Sequence, residues 1–313
     1  LATLTRDGRP VPAVIQATKM GHIFVLHRET GEPLFPVEER PVPQTDVPGE
    51  RTSPTQPFPV LPPPLFEPLT EDDAFGLTPI GSRECRERME RLRYEGIFTP
   101  PSLGGSLEYP SMIGGANWGG VALHPDRQLM VVNLNNFASW VRLIPRAQYD
   151  SARRASDARG QFTGQEGTPY GMNREGGFVS DIDIPCTRPP WGELVAIDLG
   201  NGAVAWRVPL GTIRDIAPVP LPIGWGTPNL GGPIITGGGL VFIGAAMDDY
   251  LRAFDLESGE ELWKGRLPAG GQATPMTYRL SAEGKQYVVI AAGGHGGLDT
   301  TLGDYVVAFA LPD

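Results

Sequence analysis

The sequence predicts an all-β chain whose strands group into the blades of a β-propeller. Three observations carry this. Strand–turn–strand segments repeat with aromatic residues at fixed offsets, glycine and proline punctuate short apolar runs, and helix-period patterning is scarce.

The repeat is clearest in LVAIDLGNGAVAW (194–206) and LRAFDLESGEELW (251–263). Both read apolar-x-Ala-apolar-Asp-Leu-x-x-Gly-x-x-x-Trp, so Asp198, Gly202 and Trp206 recur as Asp255, Gly259 and Trp263. IFVLHRETGEPLF (23–35) is a degenerate copy with His27, Gly31 and Phe35 at the same offsets. The aspartate can accept from turn amides, the glycine supplies a positive φ, and an aromatic opens the next strand. One aromatic at a fixed place in each unit predicts that units stack on their neighbours through it, as sheets around an axis do. An ordinary antiparallel sandwich with look-alike hairpins is the simpler alternative.

In chain order, the first unit is the tail of a blade ending near Phe35. It contains QATKMGHIFVLHRETG (16–31), which places Lys19 at the tip of a hairpin. Gly21 answers to turn chemistry, but no turn requires a cation beside it. On composition alone Lys19 reads as a solvated turn residue. Residues 36–110 break the pattern and read as a surface insertion. Its proline-rich first part suggests an extended excursion, and SRECRERMERLRYEG (82–96) a short helix capped by Ser82. That helix places Cys85, Met89 and Leu92 on one face, while its charges read as a solvated face. Three fuller units follow: 118–136 continuing to Trp206, 231–263, and 272–294 continuing to 303–313. The total is roughly four blades, fewer than a closed ring usually has.

A net charge of −10 and a pI of about 5.0 argue against a nucleic-acid surface. The longest apolar stretch, 231–247, is broken by glycines and short for a bilayer. Cys85 and Cys186 stand far apart, and His22, His27, His124 and His295 are scattered, so no zinc-type spacing arises. The two cysteines fit either one disulfide or two buried thiols.

Several longer motifs carry a resemblance: RYEGIFTPPS (93–102), GGANWGG (114–120), GRLPAGGQATPMTY (265–278) and AAGGHGG (291–297). With the Asp–Gly–Trp repeat, and across essentially all 313 residues, the chain resembles the C-terminal part of the PQQ-dependent quinoprotein dehydrogenases, membrane-bound glucose/quinate dehydrogenase group. The resemblance implies an eight-bladed propeller with PQQ near its axis over a calcium ion. It also implies oxidation of a sugar hydroxyl of the glucose-to-gluconolactone type, with electrons passed to a ubiquinone-type acceptor.

What transfers residue by residue is also only implied. Lys19 matches the lysine that stabilises negative charge on the quinone oxygens, and Asn133 the asparagine that reaches the quinone, with Asn135 and Asn136 close by. Asp248 and His295 match residues near substrate and cofactor, the alternatives being a turn aspartate and a loop histidine. Trp118 reads as inter-blade packing rather than a cofactor platform. Leu230 stands where alcohol-oxidising relatives often have tryptophan, which favours glucose or quinate. The family's catalytic aspartate and calcium ligands belong upstream of this chain. Asp7, in the turn TRDGRP, does not match that aspartate, so the chain is expected to hold half of the pocket.

The expected partners are therefore an upstream half-propeller, a sugar or polyol, and a quinone. The location is periplasmic, with membrane association through a segment not in this chain. A Cys85–Cys186 bridge follows from that compartment and would pin the inserted helix to the next blade. Quinate, shikimate or another polyol is the alternative substrate. A non-catalytic periplasmic scaffold is the alternative of a different class, disfavoured by polar residues converging on the axis.

Overall fold

The computed structural model describes residues 1–116, 118–155, 160–217 and 222–312. Strands β1 (Ala2–Arg6), β2 (Arg9–Ala17) and β3 (Ile23–His27) form a first antiparallel sheet. Asp7 and Gly8 join β1 to β2 with φ of 50° and 73°, the left-handed pair an Asp-Gly hairpin takes. A connection follows, holding the hairpin β4 (Val37–Pro41) and β5 (Thr55–Pro59), helix α1 (Pro79–Glu90) and strand β6 (Ser106–Glu108).

Next come β7 (Ala122–His124), β8 (Leu129–Asn135), β9 (Ser139–Pro145), helix α2 (Arg146–Ala155), β10 (Gln161–Thr163) and β11 (Tyr170–Glu175). Strands β12 (Gly192–Asp198), β13 (Ala203–Pro209), β14 (Ile234–Ile235), β15 (Leu240–Ile243), β16 (Tyr250–Asp255) and β17 (Glu261–Arg266) carry the two clear repeats. The chain ends on β18 (Met276–Arg279), β19 (Gln286–Ala292) and β20 (Tyr305–Ala310).

Four sheets follow one another as stacked layers: β1-β2-β3, then β13-β12-β8-β7, then β14-β15-β16-β17, then β18-β19-β20. Alternation along β8 shows why. Met130, Val132 and Leu134 pack with Leu4, Ile23 and Val25 of the first sheet, whereas Leu129 and Val131 pack with Val241, Ile243 and Phe254 of the third. Both faces of β8 are buried, so its sequence, LMVVNLN, loses the polar alternation of a half-exposed strand.

The repeat residues make the joints between layers. Asp198 Oδ1 accepts from Gly200 N at 2.7 Å, and Asp255 Oδ1 from Ser258 N at 2.8 Å. Gly202 and Gly259 take φ of 78° and 74°. A Cβ on Gly202 would lie 2.8 Å from the Phe35 ring of the preceding unit, and one on Gly259 would lie 2.7 Å from the indole of Trp206. Trp206 Nε1 also donates to Leu256 O of the next sheet at 2.8 Å. Phe35 and Trp206 therefore each rest on the turn glycine of the following unit, a contact that a side chain there would block.

A further sheet, β10-β11-β9-β6, leaves the stack between β8 and β12. The 118–206 unit is thus one layer interrupted by an outgrowth. Its core holds Ala74, Cys85, Met89, Leu107, Phe178 and Cys186. Cys85 and Cys186 are joined as a disulfide that ties α1 to the segment between β11 and β12. Three local expectations change. The helix begins earlier than expected, because Thr78, not Ser82, is the N-cap, accepting from Gly81 N at 3.1 Å with Pro79 in the first turn. Leu92 falls beyond its end, though it still packs on the same core. The proline-rich stretch, expected as an extended excursion, gains pairing of its own in the hairpin β4–β5; a two-stranded ribbon leaves outer edges where proline costs no ladder bond. Among the described residues, no helix is long and apolar enough to cross a membrane.

Candidate functional site

The hairpin between β2 and β3 is closed by Gly21 N to Thr18 O at 2.9 Å and Thr18 N to His22 O at 3.0 Å. Gly21 takes φ 72°, and a Cβ there would fall 2.2 Å from the ring of Phe66, so no larger residue fits. This tight turn lifts Lys19 out of the sheet as an exposed side chain. Its Nζ donates to Met112 O at 3.1 Å and stands 5.9 Å from the centroid of the Trp118 ring. An ammonium with one acceptor among the described residues keeps donors free for a ligand.

Trp118 is 60 % exposed, and its Nε1 donates to Ile113 O at 2.5 Å. That corrects the inter-blade packing expected for it. The indole is pinned by its nitrogen and largely exposed, with the lysine ammonium over its ring. Asn117, its neighbour in GGANWGG, lies outside the described residues.

Backbone bonds run from the hairpin tip inward. Gly115 N donates to Lys19 O at 2.7 Å, and Asn135 N donates to Gly115 O at 2.9 Å. Asn133, Asn135 and Asn229 then form a buried cluster. Asn133 Nδ2 donates to Asn229 Oδ1 at 2.5 Å and to Gly231 O at 3.1 Å. Asn229 N donates to Asn135 Oδ1 at 2.7 Å, and Asn135 Nδ2 returns to Asn229 O at 3.0 Å. Among the described residues, Asn133 Oδ1 is buried without a partner. Asn136 turns instead to Glu193 and Pro190 O, away from this cluster. Lys19 and Asn133 thus belong to one connected region.

The other two expected residues reach this region only through others. Asn229 pairs with Ala246, two residues before Asp248. Gln272, which donates to Ala246 O, accepts from Thr300, which in turn holds His295 N. Asp248 is 1 % exposed and bound to Arg252 through Nη1–Oδ1 at 2.8 Å and Nη2–Oδ2 at 2.5 Å. Thr212 N and Oγ1 each add a bond to Oδ2 at 2.8 Å. Burial lowers the Arg252 pKa, but the hydrogen bonds and charge of Asp248 and Glu261 outweigh it and raise it overall. Both oxygens of the buried Asp248 carboxylate are thus held by protein. His295 is exposed in the loop between β19 and β20, where Nδ1 accepts from Gly297 N at 3.1 Å and its own N–H is bound to Thr300 Oγ1 at 2.8 Å. Among the described residues, no bond or ring contact joins His295 to Lys19 or Asn133. The glycines around it serve the fold first: a Cβ on Gly294 would meet Thr301 O at 2.1 Å. GGANWGG and NLGGPI likewise meet backbone to backbone, since a Cβ on Gly119 would lie 1.9 Å from Gly231 O.

Sequence reasoning missed Met112, which contributes only a carbonyl, and Glu108, which lines a cleft of about 160 Å³ with Lys19 and Tyr109. It also passed over Asn229, although its neighbour Leu230 was singled out. An orthoquinone with several carboxylates fits the Lys19–Trp118 corner, which pairs a cation having free donors with a largely exposed aromatic ring. Asn133 fits less directly, because its donor is already spent on protein.

Comparison with known proteins comes to the same ground. The family model for the glucose/ethanol/alcohol dehydrogenase PQQ β-propeller domain matches residues 1–288. The chain is 44 % identical to the quinoprotein glucose dehydrogenase of Escherichia coli (strain K12), over 100 % of this chain and 40 % of that protein. It is 45 % identical to the probable quinate dehydrogenase (quinone) of Xanthomonas campestris pv. juglandis, over 98 % of this chain and 40 % of the relative. The chain therefore spans about two fifths of the length of these relatives. Among solved structures, quinohemoprotein alcohol dehydrogenase from Comamonas testosteroni matches with a TM-score of 0.55 at 20 % identity, over 99 % of this chain and 37 % of that one. This last likeness concerns the fold alone.

Proposed function

This chain belongs to the PQQ β-propeller family of glucose, ethanol and alcohol dehydrogenases, and on that premise we propose that it forms the C-terminal part of a quinoprotein dehydrogenase that oxidises a sugar hydroxyl. The observation that carries the reading is the Lys19 ammonium, held at the hairpin tip with one acceptor among the described residues and over a largely exposed indole. PQQ, when bound, supplies the oxidant that takes hydride from the alcohol carbon. Lys19 holds the negative charge that develops on the quinone oxygens, at a position fixed before reaction. Trp118 supports the ring, and the Asn133–Asn135–Asn229 cluster keeps the floor of the site rigid. His295 belongs to the loop rim on the substrate side, and Asp248 acts only by holding Arg252.

The general base, the calcium ligands and the other half of the ring are assigned to an upstream segment, and the electron acceptor to a ubiquinone-type molecule. We place residues 36–110 as an insertion of the 1–313 propeller segment, and the Phe35, Trp206 and Trp263 units as tryptophan-docking repeats. A periplasmic, membrane-associated location agrees with the Cys85–Cys186 bridge, since disulfides persist in oxidising compartments. Glucose is the first substrate. Quinate is the second, favoured by the 45 % identity to the probable quinate dehydrogenase.

The test is reduction of an artificial acceptor dye by the complete dehydrogenase carrying this chain, loaded with PQQ and calcium and offered glucose or quinate. Turnover on glucose, lost without PQQ, is expected. No dye reduction with any sugar or polyol overturns the reading.

A further inference from the structure

The cleft beside Lys19 holds a carboxylate that the reading above leaves without a role. Glu108 Oε2 accepts from Ser139 Oγ at 2.9 Å, and Ser139 Oγ accepts from Met112 N at 2.9 Å. Met112 O is the acceptor of Lys19 Nζ at 3.1 Å. Carboxylate, hydroxyl, the two peptide groups on either side of Met112 Cα, and ammonium thus follow one another in space. Glu108 Oε1 makes no hydrogen bond among the described residues and is not sealed off by protein, so it opens to the cleft that Lys19 also lines. No ion pair joins the two side chains directly among the described residues. The cleft therefore presents a cation and a free carboxylate oxygen side by side.

We propose that Glu108 and Lys19 act as one unit, in which Glu108 takes up a proton from solvent as an anionic group of PQQ settles on the Lys19 ammonium. This rests on the reading that PQQ binds at Lys19. The reason is charge balance in a cleft of about 160 Å³. An anion paired with Lys19 sits close to the Glu108 carboxylate, and like charges at short range do not both stay ionised. Burial already raises the pKa of Glu108. The Ser139 bond, the charge of Arg174 on β11 and that of Lys19 at the hairpin tip work against the rise. These are the charged groups that face it. A ligand that neutralises Lys19 removes one of them, and the carboxyl is left to its burial. The proton lands on Oε1, the oxygen Ser139 does not use, and nothing else changes bonding. Glu108 is in this sense a positioning residue, since it acts on the cofactor through Lys19 and Met112.

The consequence is linkage between pH and affinity. Because the bound form holds the extra proton, PQQ binds more tightly as pH falls. Its Kd rises by up to about tenfold per pH unit across the window between the free and bound pKa values of Glu108.

The experiment titrates PQQ into the apo form of the complete dehydrogenase by calorimetry. Two buffers with different ionisation heats give the protons taken up, for wild type, Glu108→Gln and Lys19→Ala. Net uptake in the wild type, its disappearance in Glu108→Gln and a flat pH dependence of Kd in that variant are expected. Wild-type binding without proton uptake from about pH 5 to pH 8 overturns the proposal, and needs no variant to fold. So does uptake by Glu108→Gln equal to that of wild type while Lys19→Ala still weakens binding. If Lys19→Ala binds PQQ as well as wild type does, the location of the cofactor itself is wrong, and the proposal falls with it.

Discussion

Asp248 and Arg252 face each other through two parallel hydrogen bonds, at 2.8 and 2.5 Å, with side-chain exposures of 0 and 2 %. A pair sealed this fully behaves as a structural unit. Removing one partner leaves the other charge without compensation, which typically costs about 3–5 kcal/mol. Arg252 retains Glu261 Oε2 at 3.0 Å, so Asp248→Asn should fall near the lower end, about 3 kcal/mol. Chemical denaturation of the variant measures this. If Asp248 worked on substrate, the variant would keep its stability and lose turnover instead.

The same pair bears on what the sequence could and could not say. Turn chemistry is local, so Asp198, Gly202, Asp255 and Gly259 announced their turns. His27 Nδ1 stands in for the aspartate in the degenerate copy, accepting from Thr30 N at 3.3 Å. The outgrown sheet was hidden because β6 pairs with β9 from far away in sequence, Glu108 opposite Ser139, and because short β10 and β11 carry little apolar pattern. The partner of Asp248 was hidden too. Arg252 lies four residues on, a spacing that on an extended strand gives no reason to expect contact. Lys19 was legible as an anomaly of turn chemistry. Its acceptor was not, since any residue can supply the carbonyl that Met112 supplies.

Lys19→Ala in the complete enzyme should lower kcat by roughly 100-fold or more, the usual loss when a donor to developing charge is removed. PQQ affinity should fall less than kcat, because the cofactor's carboxylates have other partners. Steady-state turnover at saturating PQQ checks this. Unchanged turnover would return Lys19 to an ordinary solvated turn.

Cys85→Ser paired with Cys186→Ser should destabilise the outgrown sheet and α1. The bridge spans a sequence separation of 101 residues, for which loop closure alone contributes on the order of 4–5 kcal/mol. Proteolysis under native conditions should then cut first near α1, with and without reductant alike. The wild type should acquire the same cleavage only when reduced. Equal resistance in both would mean that packing of Met89, Leu107 and Phe178 suffices.

His22 gives the stability a pH dependence. Burial first, then the charge of Arg40, lowers its pKa from 6.5 to about 4, within a ring of Phe24, Phe58 and Phe98. In that interval the unfolded chain binds the proton and the native one does not, so stability falls as pH drops from 6.5 toward 4. The slope is at most about 1.4 kcal/mol per pH unit. His22→Phe, which suits the aromatic surroundings, should flatten this part of the profile in denaturant titrations run at several pH values. A profile unchanged by the substitution would assign the acid sensitivity to carboxylates.

Residues 1–313 expressed alone should oxidise no sugar, even with PQQ and calcium supplied. The first and last sheets of the stack have three strands each, where the two between them have four. The last sheet and its flanks also expose Met276, Leu280, Tyr305 and Val306, at 56, 85, 50 and 76 %. Apolar surface of that extent is what inner blades bury and what free repeat ends need capped. On the proposed function the base and the calcium ligands are upstream as well, so the isolated segment would meet PQQ with Lys19 and Trp118 but nothing to take the hydroxyl proton. Supplying the upstream half, fused or as a separate chain, should restore both solubility and dye-linked glucose oxidation. Size-exclusion chromatography and the dye assay, run on the segment and on the mixture, read the two effects separately. Robust oxidation by the segment alone would move the base into this chain, where the free oxygen of Glu108, beside Lys19, is the carboxylate placed to serve.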